Sequence, residues 1–563
     1  MRRFSFAAAL LLTAGITTGS AVAAPPHANP AWPSVDQQLA KDKVQRGSAL
    51  EHLILANQNF DMLRAEEATD KIPVPPWLRV AWRKNHPEGT YTGDDPTGGY
   101  PHVLKEMHEW MLSHQDLAPN LADAWQAAVA EVDDADYAVM TDATTVGADR
   151  RVSGAQTVPR SESDIRIDYW NASRVIAGSN NIGGSGQQAM YFSNDGGLSW
   201  GQTFLPLFST DQYHSDPTVE WRSNGSAWST TLGIKGFNLK LRAYTSANGG
   251  STWTYDNTAS AKQSAVDKQM TWVDHSATSP YKDTLYVCWH NNAPQFVNRR
   301  TASAWSTPIQ ISSTESTGTA IGCDVKSNAN GDAFVFWPTT GNRRIVMSKS
   351  TNGGTSWGNP KVVVATTFDS YDIGVPAFNS RRILIYASGG AYRTATKNLV
   401  YTSWTDLTGA VGCNTAANEP GANAASTCKS RIWFARSTDG GATWGAPFMI
   451  NNQVTLNDQF NQWMGVDETT GRLAIMYYDT VGDATRKKTH VYYQTSTDDG
   501  TTWSAPVQVT TGQTDETIAG ADSGNQYGDY NGLSIHAGKI FPVWTDRRSG
   551  GKEEIWTAPI SEP

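Results

Sequence analysis

The chain has 563 residues, with 45 Lys and Arg against 54 Asp and Glu, a net charge of −9 and a mean hydropathy of −0.45. That length exceeds one ordinary core, so several domains or a closed repeat architecture are expected. The acidic balance argues against a nucleic-acid partner, which needs a basic stripe, and 22 Trp with 49 Gly suit many short strands joined by tight turns.

Arg2 and Arg3 precede an apolar run from Phe6 to about Ile16, followed by small residues ending in Ala21-Val22-Ala23. This is the order of a secretory signal peptide over residues 1–23, and the Arg pair leaves Sec and twin-arginine export both open. The run is shorter than the roughly 20 apolar residues of a membrane span. No later stretch is apolar enough to span, so a secreted or periplasmic protein with no stable membrane span after cleavage is expected.

Residues 24–135 carry a helical pattern. Ser48-Ala49-Leu50-Glu51 forms a capping box, and Val103, Leu104, Met107, Trp110 and Met111 recur at helical spacing. His102, Glu106, His108 and Glu109 lie off that apolar stripe and lack the HExxH spacing, so they read as a solvated face. A helical arm is therefore expected to precede an all-β region over residues 136–563.

In that region the period changes to two. One octapeptide returns five times, as SNDGGLSW, SANGGSTW, STNGGTSW, STDGGATW and STDDGTTW. In each copy the Asx side chain (Asp195, Asn248, Asn352, Asp439, Asp498) can accept backbone N–H bonds within the turn, and the invariant Gly permits positive φ. Trp200, Trp253, Trp357, Trp444 and Trp503 then serve as apolar anchors. They recur near every 50 residues, the signature of a propeller, and the doubled interval from Trp253 to Trp357 implies one unit without its octapeptide.

A second repeat places an aspartate before the first strand of each unit: Asp164, Asp216, Asp267, Asp324, Asp372, Asp458 and Asp529. Seven aspartates favour seven blades, with six the alternative. Strands near the end, in GLSIHAG, KIFPVWTD and EEIWTAPI, are expected to join one from Tyr137 to Val152 and close the ring. The aspartates then ring the channel at the face opposite the octapeptide turns, where a ligand is expected. Tyr213, Trp272, Tyr371, Phe460, Trp463, Tyr527 and Tyr530 lie near them and offer faces for sugar rings, though strand aromatics are also ordinary core residues.

Such an acidic ring has three readings. Each Asp caps a neighbouring blade's backbone, or some of them hold Ca²⁺ or another divalent cation, or two differ enough in environment to act as acid and nucleophile or base on a neutral sugar. The catalytic group is drawn from Asp216, Asp267, Asp458, Asp529 and Tyr530, with Asp164, Asp324, Asp372, Trp272, Trp463, Tyr527 and Arg547 around the substrate. No cofactor is required. Among the four cysteines, Cys413 and Cys428 share an irregular segment and are expected to pair, a bridge worth roughly 3 kcal/mol. Cys288 and Cys323 are either bridged or two buried thiols.

The octapeptides resemble the Asp boxes of sialidases and related propellers. The segments SDPTVEW, DQFNQWMGVD, MYYDTVGDATRKKTHVYYQTSTDDGTTW and QYGDYNGLSIHAGKIFPVWTDRRSGGKEEIWTA are similar to bacterial BNR-repeat, sialidase-family glycosyl hydrolases over roughly residues 150–563. The resemblance implies a propeller whose boxes stand away from the active site. It also implies a catalytic set of three arginines, a Tyr–Glu nucleophile pair and an Asp acid/base. The family's Arg-Ile-Pro motif is replaced by Arg166-Ile167-Asp168, so the arginine triad does not carry over, and an acidic pocket repels an anionic sugar. A glycoside hydrolase acting on extracellular glycans is expected. A non-catalytic glycan- or protein-binding propeller is the alternative, and a polysaccharide lyase a third reading.

Overall fold

The computed structural model describes residues 144–562, apart from 182, 293, 313–319, 341, 370, 411–412 and 414–418. The signal peptide and the helical arm lie outside the described residues. Within them every regular element is a strand.

Seven antiparallel sheets stand around an axis. Blade one is Asp164–Ile167, Val175–Ser179, Ala189–Ser193 and Gly201–Phe204, and blade two begins at Tyr213–Trp221. Blades three to six begin at Val266–Val273, Asp324–Ser327, Ser388–Arg393 and Gln459–Val466, and blade seven at Gly532–His536. Each of these innermost strands packs on the next, and the seventh packs on the first. Closure uses both parts of the chain: Arg150–Arg151 pairs with Glu554–Thr557 as the outer strand of blade seven, and Arg151 Nε donates to Glu554 Oε2 at 2.6 Å.

The core lies between blades. Trp289, Trp337, Trp404 and Trp544, on the second strands of blades three, four, five and seven, are fully buried. At about 150–250 Å² and 25 cal/mol/Å², each contributes roughly 4–6 kcal/mol of apolar burial. The structure bonds both cysteine pairs, Cys413 to Cys428 and Cys288 to Cys323, and the second ties blade three to the segment entering blade four.

One repeat position differs from expectation. Asp372 does not open the innermost strand of blade five; it begins a two-stranded ribbon, Asp372–Ile373 with Ile383–Leu384, inserted before that blade. Its carboxylate lies 3.0 Å from Arg382 Nε, and the same guanidinium pairs with Glu419. The aspartate therefore holds the insertion together.

Candidate functional site at the channel mouth

The mouth is built by a backbone irregularity. Three innermost strands slip register, between Ser215 and Thr218, Asp267 and Met270, and Phe460 and Trp463. Within each bulge a non-glycine residue takes left-handed backbone: Asp216 at φ 55°, Lys268 at 43° and Asn461 at 48°. Such residues are uncommon and often mark functional positions.

Hydrogen bonds fix which residues are equivalent. At four ring positions the following residue reaches back to the backbone carbonyl of the preceding ring position, three of them by a hydrogen bond and the disulfide-bonded Cys323 by contact alone. Gln269 Nε2 donates to Asp216 O, Gln462 Nε2 to Tyr386 O at 3.1 Å, Asn531 Nδ2 to Asn461 O at 3.1 Å, and Cys323 Sγ lies 3.8 Å from Lys268 O. With Glu162 (φ 56°) in blade one and Gly322 (φ 61°) in blade four, the ring is Glu162, Asp216, Lys268, Gly322, Tyr386, Asn461 and Tyr530.

This ring corrects the aspartate repeat. SDPTVEW and VDKQMTW align by their tryptophans in sequence, but in space Asp216 matches Lys268, and Asp267 stands one residue earlier. A one-residue slip exchanges the two faces of a strand. Trp221 accordingly points between blades and donates to Arg166 O at 3.2 Å, while Trp272 stands in the channel, donates to Ser327 Oγ at 3.0 Å and carries Lys326 Nζ 4.8 Å from its ring.

Lys268 occupies the centre. Its Nζ lies 3.2 Å from the Tyr530 ring centroid, 5.2 Å from Tyr386 and 5.6 Å from Trp463, a cation over three aromatic faces. Gly322 makes room for it: a Cβ there would stand 2.6 Å from the Tyr386 ring and 3.1 Å from Lys268 Cγ. Burial lowers the ammonium to about 8 against the pull of Asp216 and Glu162. Burial, and then the neighbouring Glu162 and Asp267, push the Asp216 carboxyl well above the usual carboxylate range. Ser215 Oγ donates to Asp216 Oδ1 at 2.7 Å.

Glu162 is the acidic group that the aspartate repeat misses. Asn180 links it to Asp216, donating through Nδ2 to Glu162 Oε2 and accepting the Asp216 N–H at 2.8 Å. Arg381, from the inserted ribbon, bridges Glu162 at 3.2 Å and Asp529. Its only sequence signal is its place two residues before Asp164, level with Asp216 in the following blade. Tyr530 is buried, its hydroxyl has no hydrogen-bond partner among the described residues, and burial followed by the charges of Asp216 and Glu162 pushes that hydroxyl well above its usual range.

The other expected site residues are placed elsewhere or committed to the scaffold. Asp164 Oδ2 accepts Val219 N at 2.9 Å and Asp324 Oδ2 accepts Gly389 N at 2.7 Å, each capping the innermost strand of the next blade. Asp458 accepts Ser430 N at 3.0 Å and is clamped by fully buried Arg486, with Nε to Oδ2 at 2.8 Å. Asp267 accepts the Lys268 N–H at 2.8 Å at the rim of the ring. Tyr527 packs among Phe378, Phe460 and Tyr478. Trp463 lines the channel below the ring, 6.4 Å from Tyr530. Arg547 is buried and donates to Gly551 O at 3.1 Å.

Below the ring the channel is filled. Arg166 Nε donates to Glu220 Oε1 at 2.6 Å, and a void of about 20 Å³ remains beside Trp272 and Trp463, room for about one water. Among the described residues no group of three His, Cys, Asp or Glu is arranged to hold a metal ion. The positive charge facing the carboxylates is supplied by Lys268 and Arg381.

The five octapeptide turns stand at the opposite end. In the first, Asp195 Oδ1 accepts Leu198 N and Ser199 N, each at 3.0 Å, and Trp200 Nε1 donates to Gly197 O at 3.1 Å. Asn248, Asp439 and Asp498 bond their turns in the same way, as does Asn352. Gly197 at φ 83° and Gly250 at φ 92° meet the left-handed requirement, and a Cβ on Gly250 would press Ile176 of the preceding blade at 2.9 Å. The boxes fasten blade to blade.

The model of the BNR repeat-like domain matches residues 427–520, which hold the last two boxes. Over that segment this chain is similar to BNR repeat-like domains. No curated protein matches it in sequence. Among solved structures the chain is similar to the Hadza microbial sialidase Hz136, at 14% identity over 62% of this chain and 67% of that one, with a TM-score of 0.39. It is also similar to the BP39L lectin from Burkholderia pseudomallei, at 9% identity over 71% and 96% of the two chains, TM-score 0.45. A third is the Penicillium chrysogenum alpha-L-arabinanase, at 9% identity over 62% and 92%, TM-score 0.37. At such identities these likenesses carry neither substrate nor reaction to this chain.

Proposed function

We propose that the propeller is an exported glycoside hydrolase acting on neutral extracellular glycans at the channel mouth. The observation that carries the reading is the pairing of a buried Asp216 carboxyl, pushed well above the usual carboxylate range by burial and by Glu162, with Glu162 anchored by Asn180 and Arg381. Two neighbouring carboxyl groups are the acid and the nucleophile or base of glycoside hydrolysis. Asp216 is assigned the part of the acid and Glu162 that of the nucleophile or base. Lys268 and Arg381 offset the remaining carboxylates, which suits an uncharged sugar better than an anionic one.

The test is hydrolysis of a glycan panel of neutral polymers and sialosides by the purified full chain. Asp216→Asn and Glu162→Gln are each expected to lose at least about 10²-fold in turnover, the contribution typical of a positioned acid or base. Unchanged turnover in both variants would sink the reading. A second reading, a non-catalytic glycan-binding propeller, is favoured by Arg381, which closes Glu162 and Asp529 into a satisfied network. It predicts binding without turnover across the same panel.

A further inference from the structure

A second cavity opens at the other end of the channel, on the face of the Asp boxes, and nothing in the proposed hydrolysis uses it. Its volume is about 220 Å³, below the roughly 300–1,000 Å³ of pockets for drug-sized ligands and suited to a single ring. It forms where innermost strands end: Tyr169 and Trp170 follow blade one, Asn328 blade four, Tyr392 ends blade five, and His536 ends blade seven.

Its aromatic wall is continuous. Tyr169 stacks on His536 with centroids 4.3 Å apart and planes 9° apart, and lies 4.1 Å from His275. Trp170 stands 5.7 Å from His275 and is 38% exposed, an unusual position for so large an apolar ring unless something covers it.

Two polar atoms on this wall make no well-formed hydrogen bond among the described residues. Asn328 is 3% exposed; its Oδ1 accepts Asn330 N at 3.0 Å and Asp332 N at 3.2 Å, which fixes the orientation of the amide. Its Nδ2 is consequently a buried donor, and it has no partner. His536 Nδ1 is likewise buried and makes no well-formed hydrogen bond among the described residues, although its imidazole faces the Tyr169 backbone. A buried polar group left unbonded is unfavourable, so a ligand hydroxyl would relieve Asn328 first. The wall carries both signs of charge: His275 lies 3.0 Å from Glu220 and 3.6 Å from Glu468, and Arg393 also lines the cavity.

We infer that this cavity binds one neutral sugar ring, stacked on the wall of Trp170 and Tyr169 and hydrogen-bonded by Asn328 Nδ2 and His536 Nδ1. It is a binding site separate from the mouth, able to hold a glycan while the other face acts on it. Stacked aromatic faces accept the apolar C–H side of a pyranose, and the two polar atoms meet its hydroxyls.

Saturation-transfer NMR and calorimetric titration of the full chain with neutral methyl hexopyranosides test this, with the methyl glycoside of N-acetylneuraminic acid as a second arm. A neutral glycoside is expected to bind, with affinity reduced at least about tenfold in Trp170→Ala and in Asn328→Asp. Asn328→Asp keeps the oxygen that accepts the two backbone N–H groups and replaces the donor with a carboxylate oxygen, which brings a negative charge to the wall. Loss of binding in the wall variants places the sugar in this cavity and not at the mouth, which separates the inference from the hydrolytic reading. Three outcomes overturn it: no neutral glycoside binds, binding survives both wall variants, or only the anionic sialoside binds.

Discussion

Asp458→Asn offers the sharpest separation of scaffold from chemistry. Asp458 and Arg486 are both fully buried, and Arg486 also donates to Ser426 O and Cys428 O, each at 2.9 Å. The pair therefore pins the Cys413–Cys428 insertion to the entry of blade six. Removing the carboxylate charge leaves a buried guanidinium uncompensated, which costs about 3–5 kcal/mol. Unfolding entropy near 2.1 cal/mol/K per residue, over the roughly 400 residues described, gives about 0.8 kcal/mol/K, so the melting temperature is expected to fall by ~4–6 °C. Calorimetry with a parallel activity measurement below the transition decides the matter. A variant that melts within about 1 °C of the parent yet loses turnover would refute the reasoning and return Asp458 to the catalytic group.

Two further outcomes follow from single groups. Burial pulls the His275 imidazolium down, but Glu220 and Glu468 outweigh it and hold it up at about 9; because this folded value lies above the free value of 6.5, the stabilisation is complete below pH ~6.5 and is lost as pH rises through ~9. The loss is on the order of 3 kcal/mol, and melting curves across that window are expected to decline in the parent and flatten in His275→Gln; parallel slopes would count against it. In the Asp boxes the fourth position is glycine at φ 64–73° in four copies, but Asp499 at φ 62° in the last. Asp499→Gly is expected to exceed Asp499→Ala in stability by about 1 kcal/mol, and equal denaturant midpoints would show that the turn relaxes instead.

The octapeptides and their spacing made the propeller legible because a turn motif is local: Asp195, its acceptor bonds, Gly197 and Trp200 fall within a few residues. Seven blades also followed, although Asp372 was counted for a reason the structure does not share. Sequence could not assign the mouth. Its ring depends on bulges that insert one residue into a strand, so Asp216, Lys268 and Asn461 meet at one level while their sequence contexts suggest another alignment.

The sequence by itself determined a β-propeller with a box turn in five units, since periodicity and turn chemistry are properties of adjacent residues. Only the tertiary structure decided which carboxylates are committed to the scaffold. Asp458 is paired with Arg486, Arg381 bridges Asp529 and Glu162 at the mouth, and Asp164 caps a strand in the next blade. A buried charge takes its role from the partners and the desolvation around it, and those partners are brought together by ring closure across as many as 219 residues of chain.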